Sequence, residues 1–122
     1  MNNINSIAYW DNRFKKDGGS WEANGGIEQT KCWAELILEY LPQDIKDTIM
    51  EDKLSIVDIG TALGQLADTF KKAFNNSEVT GYDFSDVAIT RCNEQYNDIN
   101  FICGGIKGNY DVVILSDRKS VV

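Results

Sequence analysis

The segment Leu54-Ser-Ile-Val-Asp-Ile-Gly-Thr-Ala-Leu-Gly-Gln65 joins a short apolar run to a glycine turn and then to an amphipathic stripe. The run reads as a buried strand, and Leu63, Leu66, Ala67, Phe70 and Phe74 read as one face of a helix ending at Asn75-Asn76. The unit then repeats. Glu78 to Asp83 is a second strand, Ser85 is placed to cap a helix whose inner face carries Ala88, Ile89, Cys92 and Tyr96, and Asn100 to Cys103 and Tyr110 to Leu115 are two more strands. Strands alternating with helices pair in parallel through right-handed crossovers, so the predicted fold class is α/β with a doubly wound parallel sheet.

A helical lead-in precedes this unit. Trp33, Leu36, Ile37, Tyr40 and Leu41 recur at helical spacing and predict one apolar face over Ile27 to Leu41, ended by Pro42. Gln43 to Asp52 is expected to add a short helix with Ile45 and Ile49 inward.

At 122 residues the chain fits one domain. No apolar run approaches the roughly 18 residues of a membrane span, and the polar start Met1-Asn-Asn-Ile-Asn5 lacks the pattern of a signal peptide, so a cytoplasmic protein is expected with no membrane partner. A net charge of −7 disfavours a nucleic-acid partner, because non-specific affinity for phosphate backbones comes from lysine and arginine. Cys32, Cys92 and Cys103 are widely spaced and form neither a disulfide framework nor a metal motif, so no metal is expected. The chain has no histidine, which leaves acid–base work to carboxylates, Tyr, Lys or Cys.

The turn Gly60-Thr61-Ala62-Leu63-Gly64-Gln65 departs from the dinucleotide fingerprint, whose second glycine is replaced by Ala62 and whose last position is Gln65. Asp58, two residues before the first glycine, is more telling: a carboxylate there can meet a cationic amine of a ligand. Asp83 follows Gly60 by 23 positions, near the separation of about 20 expected of a carboxylate that holds a ribose.

Asp58-Ile-Gly-Thr-Ala-Leu-Gly64 resembles the first motif, acidic-x-Gly-x-Gly-x-Gly, of the class I S-adenosylmethionine-dependent methyltransferases, with Ala62 at the middle glycine. The resemblance implies a Rossmann-like sheet and S-adenosyl-L-methionine as cofactor. It further implies that Asp58 orients the methionine end, while Gly60, Thr61, Ala62 and Gly64 line the methionine and ribose parts, with Ala62 adding a methyl where the backbone nears the ligand. Gly81-Tyr-Asp-Phe-Ser85 looks like the second motif, with Asp83 on the ribose hydroxyls and Phe84 on the adenine. Cys103-Gly-Gly-Ile106 lacks the acidic residue often found after the third strand, leaving backbone groups to meet the adenine amine. Tyr110 to Ser116 resembles the fourth motif, placing Ser116 near the cofactor and Asp111 in a structural role.

Tyr9-Trp-Asp-Asn-Arg-Phe14, with Trp21-Glu22 and Gln29-Thr30, is similar to the aromatic lead-in of small-molecule and glycan-cluster methyltransferases, where it covers the cofactor pocket. Trp10 and Trp21 are also placed to anchor a helix on the core. Residues 1–53 are thus expected to form a lead-in and lid, and residues 54–116 the first half of a cofactor-binding domain with strand order 3-2-1-4. The family fold runs on past its fourth strand, so the chain is expected to be a C-terminally truncated piece, inactive alone, whose Asp111 to Leu115 edge needs a partner or the missing half to cover it. Asp117-Arg-Lys-Ser-Val-Val122 matches the translation of a sequencing adapter and is expected to be an artefactual tail. The expected activity is methyl transfer to a small-molecule or glycan acceptor, with no catalytic residue named. A non-catalytic cofactor-binding module, a partner-completed subunit and another nucleotide-binding enzyme of this fold are the alternatives.

Overall fold

The computed structural model describes residues 6–116. The readings of the Met1–Asn5 start and of the Asp117–Val122 tail lie outside the described residues. Six helices and four strands follow one another: α1 (Ile7–Phe14), α2 (Ser20–Ala23), α3 (Gly26–Tyr40), α4 (Gln43–Asp52), β1 (Ile56–Ile59), α5 (Gln65–Ala73), β2 (Val79–Asp83), α6 (Asp86–Gln95), β3 (Asn100–Cys103) and β4 (Val112–Leu115). The strands form one parallel sheet in the order β3-β2-β1-β4, the arrangement expected from the sequence. Ile56 lies opposite both Val79 and Val112, which fixes the register at the centre.

The steps from β1 to β2 and from β2 to β3 cross the sheet in one direction, so right-handed connections put α5 and α6 on the same face. There Leu66, Ala67 and Phe70 of α5 meet Ile56, Val79, Ile89 and Phe101 in the main core. The return from β3 to β4 passes over two strands and therefore over the opposite face. Residues 104–111 make that crossing without a helix, turning at Gly104 (φ +125°) and Gly108 (φ +88°). Tyr82 holds them, donating its hydroxyl to the Lys107 carbonyl at 3.1 Å and sharing a 2.8 Å bond with the Tyr110 hydroxyl.

Two apolar faces differ from expectation. On α3 the buried residues are Gly26, Thr30 and Ala34, whereas Trp33, Leu36 and Tyr40 are exposed and Ile37 and Leu41 only partly covered. Small residues four apart let α3 approach α5 closely, which bulky side chains on that row would prevent. On α4 only Ile49 turns inward, and Ile45 is exposed. α1 and α2 were legible only as an aromatic lead-in; Ser6 caps α1 by accepting from the Tyr9 amide at 3.1 Å.

Asp111 ties the start of β4 to the start of β1. Its Oδ2 accepts from the Ser55 amide at 2.9 Å and the Ser55 hydroxyl at 3.1 Å, which is a structural clip. β4 is an edge among the described residues. The amides of Val112 and Ser116 donate to β1 at 2.9 and 3.0 Å, so those of Val113 and Leu115 point away from the sheet, and both side chains are exposed. No helix among the described residues is long and apolar enough to cross a membrane.

Candidate functional site

A parallel sheet presents its ligand crevice at the carboxyl ends of its strands, beside the point where the connections change direction. Here that point lies between β1 and β4, and a pocket of about 290 Å³ opens at it. Its sheet side is built by Gly60, Thr61 and Ala62 after β1, Asp83 at the end of β2, and Leu115 and Ser116 at the end of β4. Its other side comes from the lead-in, with Trp10 and Phe14 of α1, Trp21 of α2, and Thr30, Trp33 and Ile37 of α3. No lysine or arginine is among these lining residues.

The turn after β1 is held by its neighbours. The amides of Gly60 and Thr61 both donate to the Tyr82 carbonyl, at 2.8 and 2.9 Å, which folds the turn back over β2. Gly60 has φ +80° and Ala62 has φ +54°, a left-handed conformation that costs a residue with a Cβ about 1–2 kcal/mol. Ala62 is held there because its amide donates to Asp83 Oδ2 at 3.0 Å and its carbonyl accepts from Cys92 Sγ at 3.3 Å. The Asp83 carboxylate, almost fully buried, takes the Ser85 amide on its other oxygen at 3.0 Å. It therefore joins the glycine turn to the N-terminus of α6 at the pocket's edge.

Replacing Ala62 by glycine should relieve the left-handed strain, offset by the greater entropy of an unfolded glycine, and remove a methyl from the pocket wall. Ala62→Gly is expected to change stability by less than about 1 kcal/mol in urea titration.

Asp58 lies below this wall and does not line the pocket. It is fully buried, and its Oδ1 accepts a short hydrogen bond from Ser116, whose hydroxyl also lies within reach of the Ile59 and Gly60 carbonyls at 3.3 and 3.2 Å. Burial pushes the Asp58 carboxyl up to about 6, with partial relief from the Ser116 hydroxyl. Gly64 does not face the pocket either. A Cβ there would stand 3.0 Å from the rings of Phe101 and Tyr96, so it is glycine at φ +91° for helix-to-sheet packing. Phe84 is half-exposed beside Gly105, outside the pocket wall and outside the core.

Of the residues singled out in the sequence, Gly60, Thr61, Ala62, Asp83 and Ser116 meet around one pocket, while Asp58, Gly64 and Phe84 stand behind or beside it. Trp33, read as core from its spacing, lines the pocket instead, and Ile37 both packs against the main core and lines the pocket. The signal that would have found them is the row of small residues Gly26, Thr30 and Ala34, which takes the core-facing position and turns Trp33 aside.

The lead-in is fixed to the sheet unit by polar ties. Ser85 donates its hydroxyl to Asp11 Oδ1 at 2.5 Å, and Arg91 reaches the Phe14 carbonyl at 3.0 Å and Glu22 at 2.6 Å. Behind the pocket wall the Arg13 guanidinium lies 5.0 Å from the Trp10 ring and 5.4 Å from that of Trp21, close enough for cation–π attraction. Burial raises the Cys92 thiol far above its ordinary range, which makes it unreactive, whereas Cys32 and Cys103 are exposed.

Among solved structures, the plantazolicin methyltransferase BpumL in complex with SAH superimposes with a TM-score of 0.59 at 21% identity, covering 92% of this chain and 47% of its own. The chain has the Rossmann-like fold of that methyltransferase. It spans about half of that protein's length, 47%. Lesser likenesses are to Thermoplasma acidophilum 1320 (TM-score 0.46, 24% identity, 73% of this chain and 60% of that one) and to an SAH-bound Podospora anserina methyltransferase (0.46, 15%, 75% and 49%). No protein-family model and no curated protein matches the chain.

Proposed function

We propose that the chain binds S-adenosyl-L-methionine and is part of a methyltransferase acting on a small-molecule or glycan acceptor. The observation that carries this reading is the meeting, around one pocket, of the Gly60–Ala62 turn, the Asp83 carboxylate and an aromatic wall from the lead-in. The residues suit the cofactor. Asp83 uses one lone pair of each oxygen on a backbone amide, and a carboxylate has about four acceptor sites, so ribose hydroxyls can be accepted too. Trp10, Trp21 and Trp33, with no lysine or arginine lining the pocket among the described residues, suit a sulfonium. Gly60, Thr61 and Ala62 lie where the methionine and ribose would meet backbone, and half-exposed Phe84 offers its ring to the adenine. When bound, the cofactor supplies an activated methyl group, and the protein's part is to hold the partners in line and exclude water.

In this reading residues 1–53 act as the lid over residues 54–116. The SAH held by the similar methyltransferase points the same way, as does the sequence resemblance. Calorimetric titration tests it: S-adenosylhomocysteine is expected to bind, and NAD to bind at least tenfold more weakly. Tighter binding of NAD would overturn the reading in favour of another nucleotide enzyme of this fold. The exposed β4 edge, with outward amides at Val113 and Leu115, favours a second reading in which a further polypeptide segment completes the sheet.

A further inference from the structure

We propose that Ser116 and Asp58 form the proton-accepting pair of the pocket, with Ser116 meeting the acceptor and Asp58 holding the proton. The inference rests on the methyltransferase reading, since an acceptor that attacks a methyl group through an O–H or N–H must lose that proton.

The pocket wall narrows the choice. Among the described residues its lining holds no histidine, lysine, arginine, tyrosine or cysteine, and the ionisable one is Asp83. Both oxygens of Asp83 already receive backbone amides, from Ala62 and Ser85, which tie it to the turn and to α6. Of the lining hydroxyls, Thr30 donates to the Gly26 carbonyl at 2.7 Å within its own helix, and Thr61, which also faces Asp58, is almost fully buried, whereas Ser116 is partly exposed to the pocket. Ser116 differs. It lines the pocket on one side and donates directly to Asp58 on the other.

Asp58 is built to receive a proton and not to touch the ligand. It is sealed from solvent, and the hydroxyls of Ser116 and Thr61 face it. The ionisable groups facing it are Asp83 on β2 and Cys92 on α6. The anionic Asp83 favours the protonated form of Asp58, as burial does, and the Cys92 thiol stays neutral. The step balances without another reactant. The acceptor's proton passes to Ser116 Oγ as the serine's own proton passes to Asp58 Oδ1, leaving a neutral serine and a carboxylic acid.

The test is an NMR pH titration of chain labelled with carbon-13 at the aspartate carboxyls, in wild type, Ser116→Ala and Ser116→Thr. It is paired with calorimetry of S-adenosylhomocysteine at pH 6 in buffers of different ionisation enthalpy. The expected result is an Asp58 midpoint near 6 in wild type, higher in Ser116→Ala and restored in Ser116→Thr. Ligand binding should change proton uptake in wild type and not in Asp58→Asn. An Asp58 midpoint unmoved by Ser116→Ala, or a proton count unchanged in Asp58→Asn, would overturn the pair. The titration needs no cofactor, so failure of S-adenosylhomocysteine to bind would sink the methyltransferase reading separately.

Discussion

Asp83→Ala should lose both binding and stability. The variant removes the acceptor of two amides that are 3.0 Å away, Ala62 N–H and Ser85 N–H, and leaves both in a buried setting without a partner. Each orphaned buried donor costs about 1–3 kcal/mol, so a loss of about 3 kcal/mol is expected, which in a domain of this size lowers the melting temperature by on the order of 10 °C. Affinity for S-adenosylhomocysteine should fall by at least ~100-fold, because hydrogen bonds to a charged acceptor contribute about 1.5–3 kcal/mol each. Thermal melts without ligand give the first effect, and calorimetry below the variant's transition gives the second. If stability falls while affinity holds, Asp83 is a clip between the turn and α6 and does not touch the ligand.

The sheet half was legible for a simple reason. Asp83 and Gly60 lie where a strand stops, and strand ends follow from apolar runs that sequence displays directly. The parallel pairing follows from the alternation of strands and helices, the order of strands was implied by the family resemblance, and Ser85 was placed to cap α6, where it accepts from the Ala88 amide at 3.1 Å. The lead-in was harder to read. On α3 the hydrophobic residues are spaced as a core face, yet the helix turns Gly26, Thr30 and Ala34 inward, because proximity to α5 gains more from close backbones than from bulky side chains. Gly26 meets a different neighbour, since a Cβ there would fall within 2.4 Å of the Trp21 ring of α2. Periodicity reports which residues are apolar and not which neighbour arrives, so Trp33 was assigned to the core although it stands at the pocket. Asp58 lies deeper than its sequence position suggests. Its position before the glycine turn points to a ligand contact, but the side chain of a central strand is covered by its neighbours, and Ser116 comes between it and the pocket.

Asp58→Asn should make the protein more stable at neutral pH and change it little in acid. The carboxyl has an ordinary value of 3.8 and is pushed up to about 6 in the fold, chiefly by burial. Below 3.8 both folded and unfolded chains carry the proton, so the group does not bias folding. Between 3.8 and about 6 the unfolded chain ionises while the folded one keeps its proton, and stability falls as pH rises. Above about 6 the penalty is constant, at about 3 kcal/mol for that separation of values. Asparagine carries no charge to bury and still offers an oxygen to the Ser116 hydroxyl, so the gain over wild type in urea titration should approach ~3 kcal/mol at pH 7.5, reduced by whatever its amide leaves unbonded, and nearly vanish at pH 4. A gain equal at both values would show that Asp58 is not held protonated by the fold. A buried carboxyl that weakens the fold at neutral pH, where an amide would fit, is the mark of a group kept for its proton. The same substitution that strengthens the fold removes the carboxylate proposed to take the proton beneath the pocket wall, so stability and proton transfer are expected to move in opposite directions at this one residue.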